Sequence, residues 1–124
     1  MKKLIMLLLV TVNLVAFSAD CNIYPYEELY YNNGSYQVPN HEASWKLSIT
    51  TGNRKLIISG KNNKKKYFEE TYYYKSKSKN GNFIYANNEI DYITISLGKI
   101  KNNNLTFTRG YTNGDWDYGN CKLK

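Results

Sequence analysis

The sequence predicts an all-β protein: a small antiparallel meander of seven or eight strands, closed as an up-and-down barrel, with a β-sandwich as the alternative. Three observations point there. After Ser35 the chain falls into short runs in which apolar and polar side chains alternate, the period of a half-buried strand. Turns bearing Asn and Gly separate those runs at roughly 8–12-residue spacing. The chain has only two cysteines, Cys21 and Cys121, near the two ends of the part that folds. A bond between them would join the first and last segments as a barrel seam does, and closure removes the unpaired edges of a Tyr- and Ile-rich sheet.

The first nineteen residues read as a secretory signal peptide. Met1-Lys2-Lys3 is a short positive start, Leu4 to Phe17 is apolar apart from Thr11 and Asn13, and Ala16-Phe17-Ser18-Ala19 supplies small residues before polar Asp20. The apolar run is too short and too abruptly ended for a good membrane span, and no later run could cross a bilayer. Cleavage after Ser18 places Ala16 at the minus-three position, and cleavage after Ala19 places Phe17 there. The expected site is near Ala19, leaving residues 20–124 as one β domain, the default for a chain of 124 residues. Export to the periplasm or the extracellular space follows. In that oxidising setting Cys21 and Cys121 are expected to form a disulfide.

Pro25–Tyr30 has mild helical character and is stopped by Asn32-Asn33-Gly34. Ser44–Thr50 places Trp45, Leu47 and Ile49 on one face. Thr51-Gly52-Asn53 turns the chain, and Arg54–Gly60 returns through Leu56, Ile57 and Ile58 as the second strand of a hairpin. Lys65–Lys75 follows, with Phe68, Tyr72 and Tyr74 on one face and Tyr67, Thr71 and Tyr73 on the other. Phe83–Tyr85 is short. Glu89–Leu97 carries Ile93, Ile95 and Leu97 on one side. Leu105–Tyr111 sets Leu105, Phe107, Arg109 and Tyr111 together, and Thr112–Asp115 turns into a last strand, Trp116–Leu123.

Chemistry-bearing sets are few. His41 is the sole histidine and reads as an exposed loop residue, with no nucleophile placed against it. One His and two oxidised Cys cannot supply a zinc site. Asn113-Gly114-Asp115-Trp116-Asp117 resembles the start of a calcium loop, but Gly119 comes one place late and Lys124 stands where the bidentate glutamate belongs. No catalytic residue, metal or cofactor is assigned. Glu69 and Glu70 must face opposite sides of their strand; both are read as wet residues near a rim. Were Glu70 to share a barrel interior with Tyr72, Arg109 would be its plausible partner.

The thirteen tyrosines are the strongest compositional signal. Tyr24, Tyr26, Tyr30, Tyr31 and Tyr36 crowd the N-terminal segment, and Tyr72-Tyr73-Tyr74 cannot all point inward. Exposed tyrosine rings suit interfaces and glycan stacking. Lys64-Lys65-Lys66 flanks the same strand. The net charge is +7, and from Asp20 onward 15 Lys and Arg oppose 10 acids, for about +5. Export and so modest a charge argue against nucleic acid. The expectation is a non-catalytic binding protein that docks on a protein or envelope polymer through a basic, Tyr-rich surface containing Tyr72, Tyr74, Glu70, Lys64, Lys65, Lys66 and Trp116, with an inhibitor or immunity role as its sharper form. The alternatives are a glycan hydrolase pairing Glu70 or Glu69 with Asp91 or Asp117, and a carrier of a small apolar ligand. In size and compartment the chain resembles small periplasmic β-barrels that inhibit lysozyme. Ser59-Gly60 followed by Tyr67 does not reproduce the spacing of their Ser-Gly-containing loop, so the likeness is an analogy only.

Overall fold

The computed structural model describes residues 16–61, 64–87 and 93–124. Most of the expected signal peptide, and Asp91, lie outside the described residues.

The alternating runs form strands. These are β1 (Ser18–Pro25), β2 (Tyr30–Asn32), β3 (Ser35–Gln37), β4 (Trp45–Gly52), β5 (Lys55–Lys61), β6 (Tyr67–Lys77), β7 (Phe83–Ala86), β8 (Ile93–Leu97), β9 (Asn104–Tyr111) and β10 (Trp116–Leu123). Eight of them close into an antiparallel up-and-down barrel in the order β1-β10-β9-β8-β7-β6-β5-β4, and β2-β3 is a separate hairpin. The barrel, rather than the sandwich, is therefore the fold. β1 is the closing strand: Cys21 pairs with Leu47 of β4 on one side and with Cys121 of β10 on the other.

One side of each strand fills the interior. Ile23, Ile49, Leu56, Ile58, Tyr72, Ile95, Leu97 and Phe107 are all at most 1% exposed. Trp45, Phe68, Tyr74, Phe83 and Ile93 pack around them. Period-two patterning thus assigned the inward face of β4, β5, β8 and β9 correctly. The cysteines also point inward. They are bonded, with Cα atoms 4.0 Å apart and a sequence separation of 100. The covalent link lies within the core and ties the closing strand to the last strand. A disulfide-bonded barrel of this kind suits an oxidising compartment. Among the described residues no helix is long and apolar enough to cross a membrane.

Gly119 faces inward on β10 beside that link. A Cβ there would lie 1.9 Å from the Asn22 carbonyl oxygen, so the β1–β10 approach admits no side chain.

Two local expectations change, and Ser18 and Ala19, at the end of the expected leader, lie inside β1. Ala19 is 0% exposed and pairs with both Ile49 and Leu123. The helical stretch over Pro25–Tyr30 shrinks to a single 3-10 turn, Tyr26–Glu28, because β1 and β2 take its flanks. The β4–β5 turn is made by Asn53 and Arg54, both at positive φ, while Gly52 stays in β4. Arg54 holds its guanidinium 4.7 Å from the centre of the Tyr74 ring. Asn tolerates this backbone, and two residues with φ above zero match the twist of a tight hairpin.

The strands leave two unlike ends. One carries Pro25, Trp45, Tyr111 and Trp116 at strand termini, together with the β2–β3 insertion; it is called the aromatic end. The other carries the starts of β1 and β5 and the β6–β7 and β8–β9 loops; it is called the lysine end.

Candidate functional site

The aromatic end is built on a buried ion pair. Arg109 of β9 and Asp117 of β10 are register partners. The Arg109 Nε donates to Asp117 Oδ2 at 3.0 Å, and its Nη2 lies 3.0 Å from the same oxygen. The Tyr111 hydroxyl donates to that oxygen at 3.1 Å. Arg109 is 8% exposed and Asp117 5%. The guanidinium also lies 5.8 Å from the Tyr111 ring centre and 6.0 Å from that of Trp45. A buried charge is tolerable only when paired and hydrogen-bonded, and this set supplies both.

Deeper in the mouth, the Tyr72 hydroxyl donates to Glu70 Oε1 at 3.4 Å. Burial pushes the Tyr72 hydroxyl well up from its ordinary range; the Glu70 charge adds to this and Arg109 opposes it. Burial likewise raises Tyr111, again against the pull of Arg109.

Above this pair stands an aromatic group outside the core. Tyr26 stacks on Trp116 at 5.9 Å with an interplanar angle of 18°. Tyr36 meets Trp116 edge-on at 5.0 Å, and Tyr31 meets Tyr36 edge-on at 5.1 Å. The chain places each ring for a local reason. Asn33 and Gly34 both take positive φ, which closes β2 on β3 and sets Tyr31 opposite Tyr36. The 3-10 turn carries Tyr26. The β9–β10 turn, in which the Asn113 Oδ1 accepts the Asp115 N–H, delivers Trp116. Beside the rings lies a cleft of about 350 Å³ lined by Tyr26, Glu27, Trp45, Asn113, Asp115, Trp116 and neighbours.

His41 lies nearby and is exposed. Its Nε2 is 3.2 Å from Glu28 Oε1, and its carbonyl accepts from the Tyr24 hydroxyl. Its geometry is that of a loop fastener.

The residues expected to share one surface are dispersed. Tyr72 is 1% exposed and belongs to the core, because the inward face of β6 runs through Phe68, Glu70 and Tyr72. Tyr74 is half-buried at the lysine end under Arg54. Glu70 faces the interior yet is exposed at the mouth, and Glu69 faces outward, accepting from the Tyr67 hydroxyl. Lys64, Lys65 and Lys66 are exposed on the β5–β6 connection, across the barrel from β10. Only Trp116 sits in the aromatic group. Arg109 pairs with Asp117 and not with Glu70. That pairing had a sequence signal: the two residues stand four positions either side of Asn113, hence opposite one another across the turn.

The lysine end carries a second cavity, about 210 Å³, lined by Phe17, Phe83, Tyr85, Leu97 and Ile100 with Lys77 and Lys99. Burial raises the Tyr85 hydroxyl there, with Tyr74 adding to the shift. No protein family, curated sequence or solved structure matches the chain.

Proposed function

We propose that this chain is an exported, non-catalytic binding barrel that holds a carbohydrate stretch of an envelope polymer at its aromatic end. The observation that carries the reading is the group Tyr26, Tyr31, Tyr36 and Trp116, mounted outside the core beside Glu27, Asn113 and Asp115. The C–H face of a sugar ring packs on an aromatic face, and its hydroxyls need nearby acceptors and donors. Rings already fixed by contact with one another lose little freedom when a ligand arrives. Barrel mouths are a common place for such sites. Export is supported by the N-terminal segment and by the disulfide. A binding role is favoured over a two-carboxylate hydrolase because Asp117 is committed to Arg109 and Tyr111.

The test is binding to isolated envelope polysaccharide, read by sedimentation with the polymer. Trp116→Ala and Tyr36→Ala should each weaken binding about tenfold, the size of a lost aromatic anchor, with the far-UV spectrum unchanged. Unchanged binding by both folded variants rejects the assignment. Capture of a protein instead of a polysaccharide, still dependent on Trp116, moves the partner to the protein class.

A further inference from the structure

Charge is distributed unevenly along the barrel axis. At the lysine end three adjacent connections each present two cations: Arg54 and Lys55, Lys77 and Lys79, Lys99 and Lys101, and all six are exposed. Among the described residues, the one carboxylate side chain on that half is Asp20. It is used locally on the outside of β1, accepting from the Ser48 hydroxyl at 2.9 Å and lying 3.5 Å from the Lys124 Nζ. The remaining described carboxylates lie on the aromatic half.

The centre of this cationic ring is apolar. It holds the cavity of about 210 Å³ lined by Phe83, Tyr85, Leu97 and Ile100, and also by Phe17, a residue of the expected leader that cleavage near Ala19 would remove. Ile100 stands at its edge, 43% exposed, between Lys99 and Lys101. The Lys77 ammonium lies 5.7 Å from the Phe83 ring centre, so the cation rests over apolar surface instead of being drawn to a carboxylate. An apolar tip inside a ring of lysines matches a surface that is anionic outside and hydrocarbon a few ångströms below. An acidic protein would complement the charge but would leave Ile100 and the cavity without a purpose.

We infer that the lysine end docks the barrel on an anionic phospholipid surface, the cations contacting headgroups and Ile100 entering the interface. The aromatic end then faces away from the membrane. The inference does not depend on the carbohydrate reading.

The experiment uses vesicles of phosphatidylcholine alone and of phosphatidylcholine with phosphatidylglycerol. The exported protein is used, its N-terminus read by mass spectrometry. Wild type should sediment with the phosphatidylglycerol vesicles, weakly or not at all with the neutral ones, and less at high salt. A lysine near such a surface changes partitioning roughly fivefold. Lys77→Glu with Lys99→Glu and Lys101→Glu should therefore lower partitioning by at least about a hundredfold. Lys64→Glu with Lys65→Glu and Lys66→Glu, the same change in net charge at the opposite end, should largely retain it. Ile100→Trp should show a blue-shifted emission on the anionic vesicles, added to the unchanged signal of Trp45 and Trp116. Equal loss by both triple variants, no binding of wild type to anionic vesicles, or an unshifted Ile100→Trp each overturns the inference. Trp116→Ala should bind vesicles as wild type does, which separates failure here from failure of the carbohydrate site.

Discussion

At the aromatic end a guanidinium and a carboxylate, Arg109 and Asp117, lie almost wholly out of water and within 3.0 Å of one another. At the lysine end six cations stand in solvent around an apolar cavity. The same eight strands support both arrangements, and the difference follows from where each charge is attached. Arg109 and Asp117 occupy inward positions of strands, so the fold must satisfy them or lose stability. Lys79, Lys99 and Lys101 occupy loops, where water solvates them at no cost to folding and leaves them available to a partner. One end uses charge to hold the barrel together, and the other leaves its charge in solvent around an apolar opening.

The largest predicted effect tests what the two ends share. The Cys21–Cys121 bond lies between them and spans a separation of 100 residues. Replacing both by Ala should cost about 4–5 kcal/mol in the chain-entropy picture, read by urea unfolding. Hydrogen exchange should show both ends loosening together, because β1 pairs along its whole length with β10. Loosening confined to one end would mean that the ends are separate cooperative units.

The second prediction is confined to the aromatic end. Asp117→Ala leaves Arg109 buried without its partner and the Tyr111 hydroxyl without its acceptor. A loss of about 3–5 kcal/mol is expected by the same measurement. Replacing Arg109 and Asp117 together by Leu should cost less than Asp117→Ala alone, since no charge is then stranded. A mild Asp117→Ala would remove the claim that this pair organises the mouth.

A smaller effect appears at alkaline pH, and it touches both ends. Burial raises the hydroxyls of Tyr72 and Tyr111 at the aromatic end and of Tyr85 at the lysine end above the ordinary 10.0. The unfolded chain therefore loses these protons first. Their contribution is complete below about pH 10 and is lost as pH rises through the higher folded values. The midpoint of thermal unfolding should hold up to that pH and then fall. Tyr72→Phe should make the decline shallower, and an unchanged slope would show that Tyr72 ionises in the fold as freely as in the unfolded chain.

Much of the barrel was legible in period-two alternation, which gave β4, β5, β6, β9 and β10 to within a residue or two and put Trp45, Leu47, Ile49, Ile58, Ile95 and Phe107 inward. β1 was not legible. Its inward set, Ala19, Cys21 and Ile23, straddles the junction between a leader-like segment and the chain that follows, so no single reading frame contained it. The aromatic site was half legible. Tyr26, Tyr31 and Tyr36 were visible as a cluster of rings, but their meeting with Trp116 depends on a hairpin and a 3-10 turn folding back on β10, a contact that no local pattern encodes. Tyr72 misled because three consecutive tyrosines say only that the faces alternate, and not which face carries the middle of the barrel.

The smallest predicted effect on stability sharpens the comparison most. Lys99→Glu with Lys101→Glu changes as much charge as any double substitution can, yet it should move folding stability by no more than about 0.5 kcal/mol. Both side chains are exposed and flank Ile100 in the β8–β9 loop, and Lys101 meets β9 through its backbone, which bridges Asn104. Reversing them also relieves repulsion from Lys77 and Lys79, so any shift at low ionic strength should be toward greater stability and should vanish in high salt. The measurement is the urea midpoint of the double variant at two salt concentrations, set beside that of Asp117→Ala. A large loss in the lysine variant would mean that these loop cations hold the barrel together as Arg109 does, and the division of labour between the two ends would fail. A neutral result, alongside a severe Asp117→Ala, leaves the lysine ring with no role in folding, as the docking inferred for that end requires.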